Sequence, residues 1–248
     1  MVGVDERRVT GQVPLRAAVV GLGVGEQHAV GYTACEHSEL VAICDLDEQR
    51  LEEVSGRFPE ADAVDDPNIL LSRPDIDIVS IASYDRYHYE QVELALKSDK
   101  HVIVEKPAFC NPGEARAIRQ LLSERPHLLL GTNVPLRLEP RFAAVREMIQ
   151  RGEFGEIFHL EGDYDYGRRF KLTGGWRGTE PGYSVTLGGA IHLIDLLLWM
   201  SDARVVEVRA AVGTNIATRG SAFAGLDTVT ALLTLDNGAT MKVCANFG

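Results

Sequence analysis

Short apolar runs alternate with longer amphipathic stretches through the first half of the chain. Residues 15–21 (LRAAVVG), 40–44 (LVAIC), 76–82 (IDIVSIA), 101–104 (HVIV) and 128–130 (LLL) read as strands. Most are apolar on both faces, as parallel strands covered by helices on each side require. Between them, residues 27–35, 48–58, 87–97 and 112–122 carry helical spacing, with Ala115, Ile118, Leu121 and Leu122 on one side of the last. Such alternation predicts right-handed crossovers and an α/β fold, a doubly wound parallel sheet. After about Thr132 the pattern changes. Residues 141–151 read as one amphipathic helix, whereas 157–166 (IFHLEGDYDY), 205–212 and 229–235 alternate in the manner of half-buried strands. Asp236-Asn237-Gly238 is a hairpin signal, and Met241, Val243, Ala245 and Phe247 share a face of the last stretch. The prediction is a domain of the nucleotide-binding type of architecture over residues 1–132, followed over 133–248 by an α+β domain with an open, mainly antiparallel sheet. A half-buried strand running to Gly248 leaves an edge that requires a partner. Either another subunit covers that edge or the natural chain continues; continuation is the first expectation, with the second domain incomplete.

Composition narrows the partners. With 45% hydrophobic residues there is enough apolar side chain for a real core. The 25 Lys+Arg stand against 36 Asp+Glu, a formal charge of −11, which argues against nucleic acid and against anionic membrane surfaces. No apolar run approaches the roughly 20 residues that cross a bilayer. Residues 1–12 are polar and read as a frayed leader rather than a signal peptide. Cys35, Cys44, Cys110 and Cys244 are scattered with no C-x-x-C pair, so neither a disulfide framework nor a metal site is expected, and a cytoplasmic location is.

Candidate chemistry begins at Gly21-Leu22-Gly23-Val24-Gly25-Glu26-Gln27-His28, after the first strand and at the opening of the first helix. In a dinucleotide loop the first glycine makes the tight turn and the second lets backbone approach a pyrophosphate, and Gly21 and Gly23 suit these roles. The usual third glycine would stand at position 26, which is Glu26, leaving close packing to Gly25. The helix N-terminus offers free N–H groups to phosphate, so Val24 also counts among the expected cofactor contacts. Asp45 ends the second strand 24 positions beyond Gly21, near the offset of about 20 at which a carboxylate receives ribose hydroxyls. It would repel a 2′-phosphate and favour NAD over NADP, although Arg50 is close enough in sequence to receive one. The alternative for Asp45 is a cap on the helix that begins near Asp47.

Glu105-Lys106-Pro107 follows residues 101–104 directly, at the carboxyl end of a strand, where ligands of doubly wound sheets bind. Proline ends the strand and fixes the backbone beside the lysine. With this turn, the chain from Leu15 onward resembles the Gfo/Idh/MocA oxidoreductases, the group of glucose–fructose oxidoreductase and inositol dehydrogenase. The matching features are the glycine loop with His28, residues 76–82 with His88 downstream, and Val104-Glu105-Lys106-Pro107. Further on come Gly131-Thr132-Asn133, the Gly152–Ile157 segment, Gly175-Trp176-Arg177 and Gly189-Ala190-Ile191-His192-Leu193-Ile194-Asp195. The order and spacing of these features are more specific than any one alone.

The resemblance implies a Rossmann domain followed by an open-sheet domain that binds substrate and often mediates oligomers. It also implies hydride transfer between nicotinamide and a hydroxyl-bearing carbon of a sugar, polyol or sugar derivative. In the family, the lysine of the Glu-Lys-Pro turn and a histidine after the Trp-Arg segment sit at the reacting carbon. Carried over, these are Lys106 and His192, one accepting the hydroxyl proton and the other orienting the hydroxyl. Ser83, Tyr84, His88, Glu105, Lys106 and Asn133 join the glycine loop and Asp45 as expected cofactor contacts; Lys106, Trp176, Arg177, His192 and Asp195 are the expected substrate contacts. His88 at a helix start and Asn133 at the domain junction also have structural readings. Many family dehydrogenases carry an aspartate four residues before the histidine, where this chain has Gly188. Arg168, Arg169, Lys171 and Arg177 read either as a solvated loop or as a clamp for an anionic substrate, such as a nucleotide-sugar or sugar acid. The first expectation is an NAD-dependent dehydrogenase, a homodimer or homotetramer through the second sheet. The alternative is a cofactor-sensing regulator or binding protein without turnover.

Overall fold

A computed structural model describes residues 13–248; the leader read into residues 1–12 lies outside the described residues. The chain divides into two compact units, one ending at Asn133 and one spanning Val134–Gly248.

Six parallel strands form the first sheet: β1 (Leu15–Val20), β2 (Ser38–Cys44), β3 (Asp62–Val64), β4 (Ile78–Ile81), β5 (His101–Glu105) and β6 (Leu130–Asn133), in the order β3-β2-β1-β4-β5-β6. Helices α1 (Gly25–Ala34), α2 (Glu48–Ser55), α3 (Pro67–Ser72), α4 (His88–Lys97) and α5 (Pro112–Ser123) connect the strands. Because side chains alternate along a strand, β1 feeds two cores. Ala18 and Val20 join Leu70, Leu71, Val92, Leu96 and Ile118, contributed by α3, α4 and α5. Val19 joins Ala29, Leu51 and Val54, contributed by α1 and α2. This two-sided cover is why these strands are apolar on both faces.

β3 and α3 fall outside the elements predicted from the amino-acid pattern. The strand has only three residues, none buried, so it carries no apolar run to detect. The helix is only six residues long, although Asp66 caps it and Pro67 occupies its first position, a start signal present in the sequence.

In the second unit, α6 (Pro140–Gln150) covers nearly the predicted helix. It is followed by β7 (His159–Asp165), the single turns α7 (Phe170–Thr173) and α8 (Trp176–Thr179), and a π-helical turn at Thr186–Ala190 leading into α9 (Ile191–Ser201). Strands β8 (Val205–Thr214), β9 (Thr228–Leu235) and β10 (Thr240–Asn246) complete a four-stranded sheet in the order β7-β10-β9-β8. Leu193, Leu197 and Leu198 of α9 pack with Leu160, Leu233, Leu235, Met241 and Val243, covering one side of this sheet. β8 is exposed along its whole length.

The prediction that the last strand forms an edge is corrected. β10 is interior, antiparallel to β9 and parallel to β7, so its backbone groups are paired on both sides. The same β7–β10 pairing makes the sheet mixed.

Candidate functional site

The carboxyl ends of five parallel strands bring Gly21, Asp45, Ser83, Lys106 and Asn133 to one edge of the first sheet. β1 lies between β2 and β4, where the direction of winding reverses, which is the crevice such sheets offer to ligands. Gly21 has φ of +85°, and a Cβ there would stand 2.6 Å from the backbone of Ala82 and Ser83. Only glycine fits. A Cβ on Gly25 would stand 2.9 Å from Val19 Cγ1 and 3.0 Å from Ala82 Cβ, so Gly25 performs the close packing of helix on strand. At Gly23 nothing lies within 4 Å, and Val24 beside it is exposed, which leaves the backbone open to a ligand.

Asp45 ties this loop to the end of β2. Its Oδ2 accepts from Leu22 N at 2.7 Å and its Oδ1 from Asp47 N at 3.0 Å, while the cap of α2 is Asp47 itself. Arg50 grips the loop from the other side, donating from Nε and Nη2 to Leu22 O at 3.0 and 2.8 Å. The same Nη2 lies 2.6 Å from Glu26 Oε2. The guanidinium that could have received a 2′-phosphate is thus held by the loop and by the residue standing in the third glycine position.

A buried polar network supports the turn that carries Lys106. Glu105 Oε1 lies 3.1 Å from His28 Nε2 and accepts from Asn133 Nδ2 at 2.6 Å; Glu105 Oε2 accepts from Lys106 N at 3.3 Å. His28 Nδ1 lies 3.1 Å from Ser80 Oγ, which is 2.9 Å from Tyr32 Oη. Burial pushes the Glu105 carboxyl up, but the hydrogen bonds from His28 and Asn133 outweigh it and hold it below its ordinary value. Glu105 and Asn133, expected as cofactor contacts, spend these atoms inside the protein and position Lys106, which is half-buried and precedes a cis peptide bond to Pro107.

His88 requires a correction. Its side chain is wholly buried, with Nδ1 2.7 Å from Pro107 O and Nε2 3.0 Å from Ser83 O. Without accessible surface it joins two loops rather than touching a cofactor. Ser83 donates to Gln91 Oε1 at 2.7 Å, and Tyr84 is 45% exposed.

In the second unit, His192 lies in the first turn of α9 and stacks on Tyr164 with ring centroids 5.7 Å apart; Tyr164 stacks in turn on Tyr166 at 5.1 Å. Arg177 lies over the Trp176 ring at 4.5 Å and donates from Nε to Tyr183 Oη at 3.0 Å. Trp176 and Tyr183 meet edge to face at 5.8 Å. The space beside Gly188 is filled by this tyrosine, because a Cβ on Gly188 would lie 2.0 Å from Tyr183 Oη. Asp195 accepts from Arg137 Nε at 2.7 Å and pairs with the same guanidinium through its other oxygen. That engagement makes Asp195 a tie between α9 and the turn at Pro135–Leu138. The tyrosines at 164, 166 and 183 were not singled out from sequence. For the first two the signal was present, as the alternation of β7 sets Tyr164 and Tyr166 against Glu161, Asp163 and Asp165.

Residues 15–131 match the family described as an oxidoreductase family with an NAD-binding Rossmann fold, and residues 142–248 match the GFO/IDH/MocA C-terminal domain. The chain belongs to the Gfo/Idh/MocA family. Among its relatives, the D-glucoside 3-dehydrogenase of Escherichia coli is 31% identical over 77% of this chain and 53% of its own length. The UDP-N-acetylglucosamine 3-dehydrogenase of Acidithiobacillus ferrooxidans is 30% identical over 94% of this chain and 67% of its own. The structure of myo-inositol 2-dehydrogenase from Lactobacillus plantarum superposes with a TM-score of 0.86 at 22% identity, over 94% of this chain and 70% of that one, and so shares the fold. The chain spans little more than half the length of several curated relatives.

The residues of this family member fit a dinucleotide. The open backbone at Gly23, the turn fixed at Gly21 and the N-terminus of α1 provide a pyrophosphate cradle, and Asp45 stands at the end of β2. Among the described residues, no group of three or more His, Cys, Asp or Glu side chains is gathered for a metal ion, and no helix is long and apolar enough to cross a membrane.

Proposed function

We propose that the protein is an NAD-dependent dehydrogenase acting on a hydroxyl-bearing carbon of a sugar, polyol or sugar derivative. The observation that carries this reading is the delivery of Lys106, on a turn braced by buried Glu105, to the strand edge that also holds the open glycine loop. When bound, the nicotinamide supplies the carbon that exchanges a hydride with substrate. Lys106 and His192 divide the proton chemistry, one taking the hydroxyl proton and the other orienting the hydroxyl. Imidazole suits the first task because it ordinarily titrates near neutral pH. Trp176 offers a ring face to the sugar. Asp45 accepts the ribose hydroxyls and, with Arg50 held by Leu22 and Glu26, selects NAD over NADP.

Two features of the setting belong to the same reading. The four cysteines form no disulfide among the described residues, and two of them are exposed, which suits a reducing cytoplasm. The open face of the second sheet, where Val206, Val208 and Val212 are each more than 60% exposed, suits a homodimer or homotetramer.

A titration of NADH by fluorescence tests the cofactor site first. A panel of polyols and nucleotide-sugars, followed at the nicotinamide absorbance, then tests turnover. Loss of activity in both Lys106→Ala and His192→Ala is expected; activity surviving both changes would overturn the assignment. The filled space at Gly188 favours a second reading, a cofactor-sensing protein without turnover, which predicts NADH binding and no reaction with any member of the panel.

A further inference from the structure

Three cations converge on one tyrosine-lined surface of the second unit. Lys171 Nζ donates to Tyr166 Oη at 2.7 Å and lies 5.0 Å above the ring of Tyr166, and the guanidinium of Arg168 lies 5.0 Å above the same ring. Arg177 is held against Trp176 and Tyr183. Arg168, Lys171 and Arg177 are each placed against an aromatic ring. Burial raises the Tyr166 hydroxyl, yet Lys171, Arg168 and Arg177 together bring it below its ordinary value, so the potential here is positive. In a chain of formal charge −11 that is a local exception.

The backbone produces it. Along β7, Tyr164 alternates with Glu161, Asp163 and Asp165, so the strand directs its acids away from its tyrosines. The acids are also engaged elsewhere. Lys242 Nζ bonds Glu161 at 2.6 Å and Asp163 at 2.8 Å, and Asp165 accepts from Asn246 Nδ2 at 3.3 Å. Asp195 is held by Arg137. Arg169, the fourth cation of the segment, is turned to Ala217 O at 3.2 Å and takes no part. At Gly188, where a side chain would otherwise stand, the arginine-bound Tyr183 hydroxyl fills the space. The surface continues through Tyr164 to His192.

We propose that this surface selects an anionic sugar, whose carboxylate or phosphoryl group is received by Arg168, Lys171 and Arg177 while the sugar ring lies toward Tyr164 and His192. The proposal rests on the oxidoreductase reading, in that it takes the surface beside His192 as the substrate side. Arginine pairs with carboxylate and phosphate through two parallel donors, and lysine adds a point charge, so either anion satisfies the chemistry.

The test is calorimetric titration of the NADH-saturated protein with D-glucose, D-glucuronate, D-glucose 6-phosphate and inorganic phosphate. At least one charged sugar should bind about tenfold or more tighter than glucose, and the preference should weaken at high salt. Glucuronate alone identifies a sugar acid as the source of the anion, and glucose 6-phosphate alone a phosphoryl sugar. Arg168→Met and Lys171→Met should each remove most of the preference. Arg168 is exposed and lies over the Tyr166 ring, so its replacement is expected to leave the fold intact, which circular dichroism verifies. Equal binding of all the sugars overturns the proposal, as does a preference untouched in both variants or inorganic phosphate binding as well as the charged sugars. Oxidation of an uncharged polyol accompanied by equal sugar binding would overturn the proposal and leave the oxidoreductase reading standing. Failure of NADH to bind would remove that reading itself.

Discussion

The cofactor edge of the first unit and the tyrosine surface of the second are assembled by opposite means. At the first, backbone forms the edge that meets the ligand, and buried side chains brace it from behind. Parallel strands end together, a glycine fits where no other residue can, and a buried network running from Tyr32 through Ser80, His28 and Glu105 to Asn133 fixes the turn before Lys106. At the second, side chains do the work. Rings stack in series, cations lie over them, and two single-turn helices carry Lys171, Trp176 and Arg177. A site made of backbone suits a ligand that is always the same, whereas one made of side chains on short turns can be altered by single substitutions without disturbing the sheet. One framework can thereby keep its cofactor and change its substrate.

The largest expected effect tests whether the two regions act on one reaction. Lys106→Ala should lower kcat/KM by about 10²–10⁴-fold, the range for loss of a positioned acid–base group, with a much smaller loss of NADH affinity. His192→Ala should behave alike. If Lys106→Ala abolished NADH binding instead, the lysine would belong to the cofactor cradle rather than to the chemistry.

Next in size is the contact at Gly188. Gly188→Ala places a Cβ 2.0 Å from Tyr183 Oη, so the tyrosine or the π-helical turn must move. Denaturant unfolding should register about 1–3 kcal/mol, typical of overpacking. In a Tyr183→Phe background the oxygen is gone and the nearest ring atom lies 2.8 Å away, so the same substitution should cost distinctly less. Additive costs in this double-mutant cycle would mean that the tyrosine does not fill the space in solution.

Glu105→Gln sharpens the contrast from the other side. It keeps the shape of the side chain but removes the charge from a buried, hydrogen-bonded carboxylate, and should cost roughly 1–3 kcal/mol at neutral pH. The pH dependence has a definite sign. The Glu105 carboxyl is held below its ordinary 4.5, so its contribution is complete above that pH and is lost as pH falls through the lowered native value. The difference in stability between wild type and Glu105→Gln should therefore shrink on acidification. A difference that stayed constant with pH would show that the network does not depend on the charge.

The contrast between the regions also explains what could be read from the amino acids. Strands β1, β2, β4 and β5 were legible because burial on both faces writes continuous apolar runs, and the glycine loop was legible because its backbone admits little else at Gly21. The end of β10 misled because its pattern shows one buried face but not its neighbours; parallel pairing with β7 joins residues 81 apart in the chain, such as Thr240 and His159. The same holds at the site. Lys106 and His192 stand in recognisable motifs, but the enclosure of His88, the engagement of Asn133 by Glu105 and the entry of Tyr183 beside Gly188 are tertiary contacts that no local pattern records.

The smallest expected effect concerns cofactor choice. Glu26 stands where a dinucleotide loop usually has its third glycine, and its carboxylate holds Arg50 Nη2 at 2.6 Å and Arg57 Nε at 2.7 Å. Glu53 holds the same two guanidinium groups at 3.1 and 3.2 Å. Two cations suited to a 2′-phosphate are thus neutralised a short distance from Asp45, which repels that phosphate directly. Glu26→Gln frees part of this charge, but Glu53 and Leu22 O still restrain the arginines, so the ratio of NADPH to NADH dissociation constants should fall by only a few-fold, under 1.4 kcal/mol. The shift should diminish at high salt, because these groups are partly exposed. Asp45→Ser should move the ratio further, and the double variant furthest. If Glu26→Gln left the ratio unchanged while Asp45→Ser shifted it, the choice of cofactor would rest on the end of β2 alone, and the loop's departure at position 26 would serve only to fasten α2 to α1.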